Sequence, residues 1–122
     1  MGVLVEGYDL ARKRHDDEVA EIHRKDDLVD RELHDLAAML EQDRQFMKDN
    51  GIGCDIGRRV LHVSHLRSPA LTVHFNAEAQ EFTMTVMHDG TMLTTKTVEE
   101  CARGIGEALF KIVAPRGELE AR

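Results

Sequence analysis

The sequence lacks tryptophan, and aromatic residues make up 4% of its 122 residues. A core must therefore be built from Leu, Val, Ile and Met. No stretch approaches the roughly 18 consecutive apolar residues of a membrane span. The N-terminus, MGVLVEGYD, has no apolar run of the length found in a secretory signal. We therefore expect no membrane association and a cytoplasmic location.

The sequence is also poor in signatures of chemistry. Its two cysteines, Cys54 and Cys101, are too few for a disulfide scaffold and match no zinc spacing. No phosphate-binding loop, nucleophile elbow, metalloprotease motif or convincing pair of carboxylates is present. We expect a protein that is not an enzyme, with no catalytic residues, no cofactor and no metal site. A formal net charge of -7 also disfavours binding to phosphate backbones.

Residues 9–50 contain neither proline nor glycine, and Asn50-Gly51 is a typical helix stop. Apolar residues recur at alternating spacings of three and four, which is the seam of a helix that packs against a partner. The seam comprises Val19, Ile22, Asp26, Val29, Leu33, Leu36, Leu40, Asp43 and Met47. The sequence predicts one helix over residues 9–50.

The two halves of this helix differ in composition. Between Arg12 and Asp27, eleven of sixteen residues are charged, whereas the apolar stripe widens after Leu28. We predict that the second half packs on its own domain and that residues 9–27 project. The projecting half would form a homodimer interface through Val19, Ile22, Asp26 and Val29. The alternative is that this half lies in water.

From residue 59 to residue 96 the hydrophobic period changes to two, which predicts a four-stranded antiparallel sheet. Asp89-Gly90 is a hairpin signal, and Pro69 predicts a turn between the first two strands. The preceding stretch, NGIGCDIGRR, is interpreted as a glycine-rich turn. One sheet face is apolar and is expected to be covered, and the other is polar.

A second helix is predicted over residues 98–113, with Thr97 and Glu100 as a capping box and an apolar stripe that includes Cys101. Residues 1–8 and 115–122 are predicted to be tails. The fold class is therefore α+β, a single domain over residues 9–114. A long N-terminal helix, a four-stranded antiparallel meander and a C-terminal helix packed on one sheet face make up this domain.

The polar sheet face carries the most distinctive surface residues. We predict it as a candidate binding surface formed by His62, Thr72, His74, Thr83, Thr85 and Thr94. The alternative is that threonine is there because it suits an exposed strand. His62 and His74 could neighbour each other across strands, but no third ligand joins them in the sequence, so no metal site is predicted.

The order of helix, antiparallel strands and helix resembles the YbaB-type nucleoid-associated proteins. The small size and acidity of the chain also resemble type III secretion chaperones. The leading hypothesis is a non-enzymatic, dimeric protein–protein interaction module: an adaptor, chaperone or assembly factor. The first resemblance implies the alternative of a DNA-binding dimer, with nucleic acid an unlikely partner given the charge. A small-molecule or metal-binding enzyme using the Thr/His face is the third.

Overall fold

A computed structural model describes residues 2–113, and within them it confirms the α+β fold. The helices are α1 (Val3–Glu41), α2 (Arg44–Asp49) and α3 (Val98–Val113). The strands are β1 (Ile52–Gly57), β2 (Val60–His65), β3 (Ser68–Asn76), β4 (Glu81–Val86) and β5 (Met92–Thr95). The predicted tail at 115–122 lies outside the described residues.

Helix α1 is longer at its start and shorter at its end than the sequence predicted. It begins at Val3, so the expected N-terminal tail at 1–8 is wrong for the described residues. It ends at Glu41, and Gln42 and Asp43 form a turn before α2 begins. The Asp43 backbone N–H donates to the Leu40 carbonyl at 3.0 Å, which tightens the last turn and redirects the chain. The predicted rod is thus interrupted near its end.

The sheet has five strands rather than four, because the stretch interpreted as a glycine-rich turn forms β1. Ile52, Cys54 and Ile56 alternate with Gly53, Asp55 and Gly57, and the first three share the face that the core covers. The strand pairs antiparallel with β2, with Cys54 opposite Val63. All five strands follow in sequence order across the sheet, β1-β2-β3-β4-β5.

Two of the turns use left-handed residues without glycine. Arg58 and Arg59 have φ values of 53° and 62°, and Leu66 and Arg67 have values of 52° and 70°. Positive φ at both central residues matches the twist of a two-residue hairpin. The turn between β2 and β3 is thus Leu66-Arg67, and the expected turn at Pro69 is wrong.

Pro69 instead lies in β3, opposite Ser64 and beside an irregularity in the β2–β3 register. A proline cannot donate to the ladder, and such positions tolerate it. The predicted turn at Asp89-Gly90 does lie between β4 and β5, but the connection has five residues, 87–91, rather than the two that the sequence predicted. There Gly90 has a φ of 73°. The Asp89 carboxylate accepts the Thr91 backbone N–H at 2.9 Å, which lowers the pKa of Asp89.

The core lies between one face of the sheet and the two long helices. Helix α1 packs over β1, β2 and β3, and α3 packs beside it over β4 and β5. Leu33 and Leu36 of α1 are fully buried there, with Cys101 and Ile105 of α3. Helix α3 has the predicted bounds, and the Glu100 backbone N–H donates to the Thr97 hydroxyl at its start. The expectation that the second half of α1 lies across the apolar sheet face is confirmed.

Candidate interaction surfaces

The first candidate surface is the part of α1 that extends past the sheet. Every residue from 2 to 20 is exposed. We call residues 3–24 the projecting half and the remainder of the described chain the body. At about 1.5 Å per residue, the projecting half is about 33 Å long. It carries seven exposed large apolar side chains, those of Val3, Leu4, Val5, Tyr8, Leu10, Val19 and Ile22.

Two ion pairs mark the point where α1 meets the body. Arg59, in the β1–β2 turn, donates to the Asp26 carboxylate at 2.7 Å. Lys25 donates to Glu78, in the β3–β4 turn, at 3.0 Å. Both turns lie at the same end of the sheet, because β1, β2, β3 and β4 are consecutive antiparallel strands. The body therefore begins at Lys25.

The residues predicted for a dimer interface divide at this point. Asp26 pairs with Arg59 of its own chain, and Val29 packs against its own core. Val19 and Ile22 stay exposed, at 37% and 57%. Their role at a dimer interface remains a prediction.

The apolar seam of α1 extends further toward the N-terminus than Val19, where the predicted seam began. Continuing the spacing of three and four back from Val19 leads through His15, Arg12, Tyr8 and Val5. Tyr8 is 67% exposed. The prediction missed the last two because it began the helix at residue 9. Residues 3–8 are mostly apolar and contain no helix breaker apart from Gly7, and this pattern could have indicated that the helix begins earlier.

The second candidate surface is the sheet face opposite the helices, which we call the outer face. The strand register places all six predicted residues on it, in two neighbouring rows. One row runs His62, Thr72, Thr85 and Met92, from β2 to β5. The other runs His74, Thr83 and Thr94, from β3 to β5. The two histidines and Thr94 are exposed and the other threonines half-buried. Strand pairing thus assembles one continuous polar surface.

Strand β1 adds a carboxylate to this surface. Asp55 is exposed and lies opposite His62 in the register. Asp55 is absent from the predicted binding surface because the stretch that forms β1 was interpreted as a turn. His62 and His74 are diagonal neighbours, since His62 pairs with Thr72, and such positions are about 7–8 Å apart. Among residues 2–113, no group of three or more His, Cys, Asp or Glu side chains could hold a metal ion.

Both cysteines are free thiols on the core side of the sheet. Cys54 is half-buried, and burial together with the charge of Glu41 raises the pKa of its thiol to about 11. Cys101 is fully buried, and burial raises the pKa of its thiol to about 11 as well. A thiol with a raised pKa is a poor nucleophile at neutral pH. The environment of neither cysteine favours covalent catalysis.

A shallow crevice separates the β4–β5 hairpin from α3. Its volume is about 210 Å³, and its lining includes Met92, Leu93 and Lys111. It lies at the β5 edge of the sheet, on the side that α3 covers. Its lining combines apolar and charged side chains without a recognisable catalytic set.

The comparisons with known proteins give no relative for this arrangement. No protein-family model matches the chain. No curated protein and no solved structure matches it either. Within the described residues, α1, the longest helix, is too charged to cross a membrane, and neither of the others is long and apolar enough.

Proposed function

We propose that the protein is a non-enzymatic homodimeric interaction module, of the adaptor, chaperone or assembly-factor kind. The projecting half of α1 would join two copies, and the outer face of the sheet would hold a partner protein. The free thiols suit a reducing compartment, and we include a cytoplasmic location in the proposal.

The observation that carries the proposal is the helix that outruns its own body. Most helix stability in proteins comes from packing of an apolar face, and the projecting half has no such packing within its own chain. The projecting half exposes such a face, with Tyr8 at 67% and Ile22 at 57%. A second helix that covers the face would supply the missing packing.

The outer face supports the second part of the proposal. Strands β2 to β5 present two rows, mostly of Thr and His side chains, that no helix of the described chain covers. Hydroxyl and imidazole groups can donate and accept hydrogen bonds without carrying a fixed charge. Such a surface suits a protein partner better than the phosphate backbone of a nucleic acid, which requires Lys and Arg.

The molar mass in solution tests the dimer. One chain is 13.8 kDa, so light scattering on the purified protein is expected to give twice that mass. A protein that stays at the mass of one chain at the highest soluble concentration would contradict the proposal.

Affinity capture from the native host tests the outer face. The bait carrying Thr83→Lys and Thr85→Lys places two charges in the middle of the face, and it is expected to lose a partner that the wild-type bait retains. Glu107→Lys, an exposed position on α3, is the control for added charge. A partner retained equally by all three baits would remove the outer face from the proposal.

A further inference from the structure

The projecting half has the length of a complete pairing site for another copy of itself. The seam that packs on the sheet from Val29 onward is the same seam that is exposed before Lys25. A helix laid on the exposed part is therefore stopped by the body at the ion pairs of Lys25 and Asp26. About 33 Å of helix is available, and this is the length that a second projecting half would bring.

We propose that two projecting halves pair antiparallel, with Val5 opposite the partner's Ile22 and Tyr8 opposite the partner's Val19. The inference rests on the dimer of the proposed function and adds its orientation and register. In this register each projecting half ends where the other chain's body begins. The exposed seam is covered along its whole length without a clash between helix and sheet.

In this register apolar side chains pair with apolar ones and polar side chains with polar ones. The four apolar seam residues of one copy, Val5, Tyr8, Val19 and Ile22, each meet an apolar residue of the other. The two polar seam residues, Arg12 and His15, meet each other at the centre. Asp9 and Asp16 lie three residues before and four residues after Arg12, on the same side of its helix, where they offset its charge.

A parallel pair in register is less favourable for two reasons. It places Arg12 directly opposite the partner's Arg12, whereas the antiparallel register offsets the two by about 4.5 Å along the axis, and like charges repel more strongly the closer they lie. It also brings both bodies to the same end of the pair. There the partner helix would compete with the sheet for the seam that holds Leu33 and Leu36.

Disulfide cross-linking between single-cysteine helices tests the orientation. Val5→Cys and Ile22→Cys are prepared as separate proteins in a Cys54→Ser background, with the buried Cys101 retained. In the proposed register each new cysteine lies about 25 Å along the axis from its own copy in the partner. Bridged Cα atoms lie roughly 4.4–6.8 Å apart. Oxidation is expected to cross-link the mixture of the two proteins and neither protein alone.

Further variants test the register and control for chance collisions. Tyr8→Cys mixed with Val19→Cys is expected to cross-link as well. Ala20→Cys, which lies off the seam, is expected not to cross-link with Val5→Cys. Circular dichroism of each variant checks that the body is folded.

The remaining outcomes separate this inference from the proposed function. Cross-linking of Val5→Cys or Ile22→Cys alone would show a parallel pair and overturn the inference. No cross-link in either mixture, with the mass of a dimer by light scattering, would overturn the inference and leave the proposed function standing. No cross-link with the mass of one chain would overturn both.

Discussion

Aspartate at two exposed seam positions is expected to separate the dimer while the body stays folded. In the single chain, Val19 and Ile22 are 37% and 57% exposed, so a partner helix can remove a large part of each from water. Full burial of such a side chain contributes about 1.5–3 kcal/mol. Covering the exposed fractions contributes about 2 kcal/mol per chain and about 4 kcal/mol per symmetric dimer.

The double variant Val19→Asp with Ile22→Asp loses this contribution and places four carboxylates in the contact. At about 1.4 kcal/mol per tenfold change, the dissociation constant is expected to rise by a factor of about 1,000 or more. Sedimentation velocity over a dilution series measures the shift. The mass is expected to fall toward the 13.8 kDa of one chain at concentrations where the wild type stays dimeric.

Two matched variants show whether the seam is responsible. Ala20→Asp adds charge to the same exposed stretch of helix away from the seam, and it is expected to leave the dimer intact. Leu36→Ala lies on the seam inside the body, where Leu36 is fully buried. It is expected to cost about 2–5 kcal/mol of unfolding free energy in urea. Equal dissociation constants for wild type and the double aspartate variant would contradict a dimer contact through Val19 and Ile22.

The remaining predictions concern the body. Gly106→Ala is expected to raise the unfolding free energy by about 1 kcal/mol, because alanine favours the helix and its Cβ meets open space. Gly104→Ala is expected to gain less than Gly106→Ala, because its Cβ would come within 2.5 Å of Leu93 Cδ2 and the Leu93 side chain would have to shift; urea unfolding of both variants measures the difference. Leu66→Asn with Arg67→Gly relieves two positive φ angles and is expected to stabilise by about 1 kcal/mol, measured the same way. The raised pKa of Cys101 means that the unfolded chain loses this proton first, so stability is expected to fall between about pH 9 and pH 11 and stay level below that range. Urea midpoints across this pH range are expected to fall less steeply for Cys101→Ala.

The strands in which polar and apolar side chains alternate were predicted from the sequence. Strand β1 was not predicted, because glycine takes the place of polar residues at its outward positions. In β2, β3 and β4 most outward positions carry a recognisable polar residue, such as His62 or Thr72. In β1 two of the three outward positions are Gly53 and Gly57, which are typical of turns. Ile52, Cys54 and Ile56 do recur with a period of two, but the glycines between them made the stretch resemble a turn. Asp55 was lost from the candidate outer face for the same reason.

The extent and surroundings of α1 could be predicted only in part. Leu33 and Leu36 were correctly placed on the sheet from their spacing. The same spacing applies to Val19 and Ile22, so periodicity alone cannot say where the body ends. That boundary depends on Arg59 and Glu78, which lie in turns 33 and 53 residues away along the chain. Contacts between residues so distant in sequence have no local signature.

The ion pairs at the boundary locate the body but do little to hold the projecting half in shape. Exposed pairs such as Lys25–Glu78 contribute about 0–1 kcal/mol, and the buried side chains that fix α1 begin only at Leu33. A lone projecting half of about 22 residues is therefore expected to fray from its N-terminus, because most helix stability in proteins comes from a packed face and it has none. Dissociation of the dimer should then be coupled to unfolding of residues 3–24. Dilution is expected to lower the helical circular dichroism signal in parallel with the loss of dimer mass, while the chemical shifts of body residues stay unchanged. A helical signal that is constant across dissociation would mean that the projecting half is stable alone, and its exposed seam would then not require a second copy.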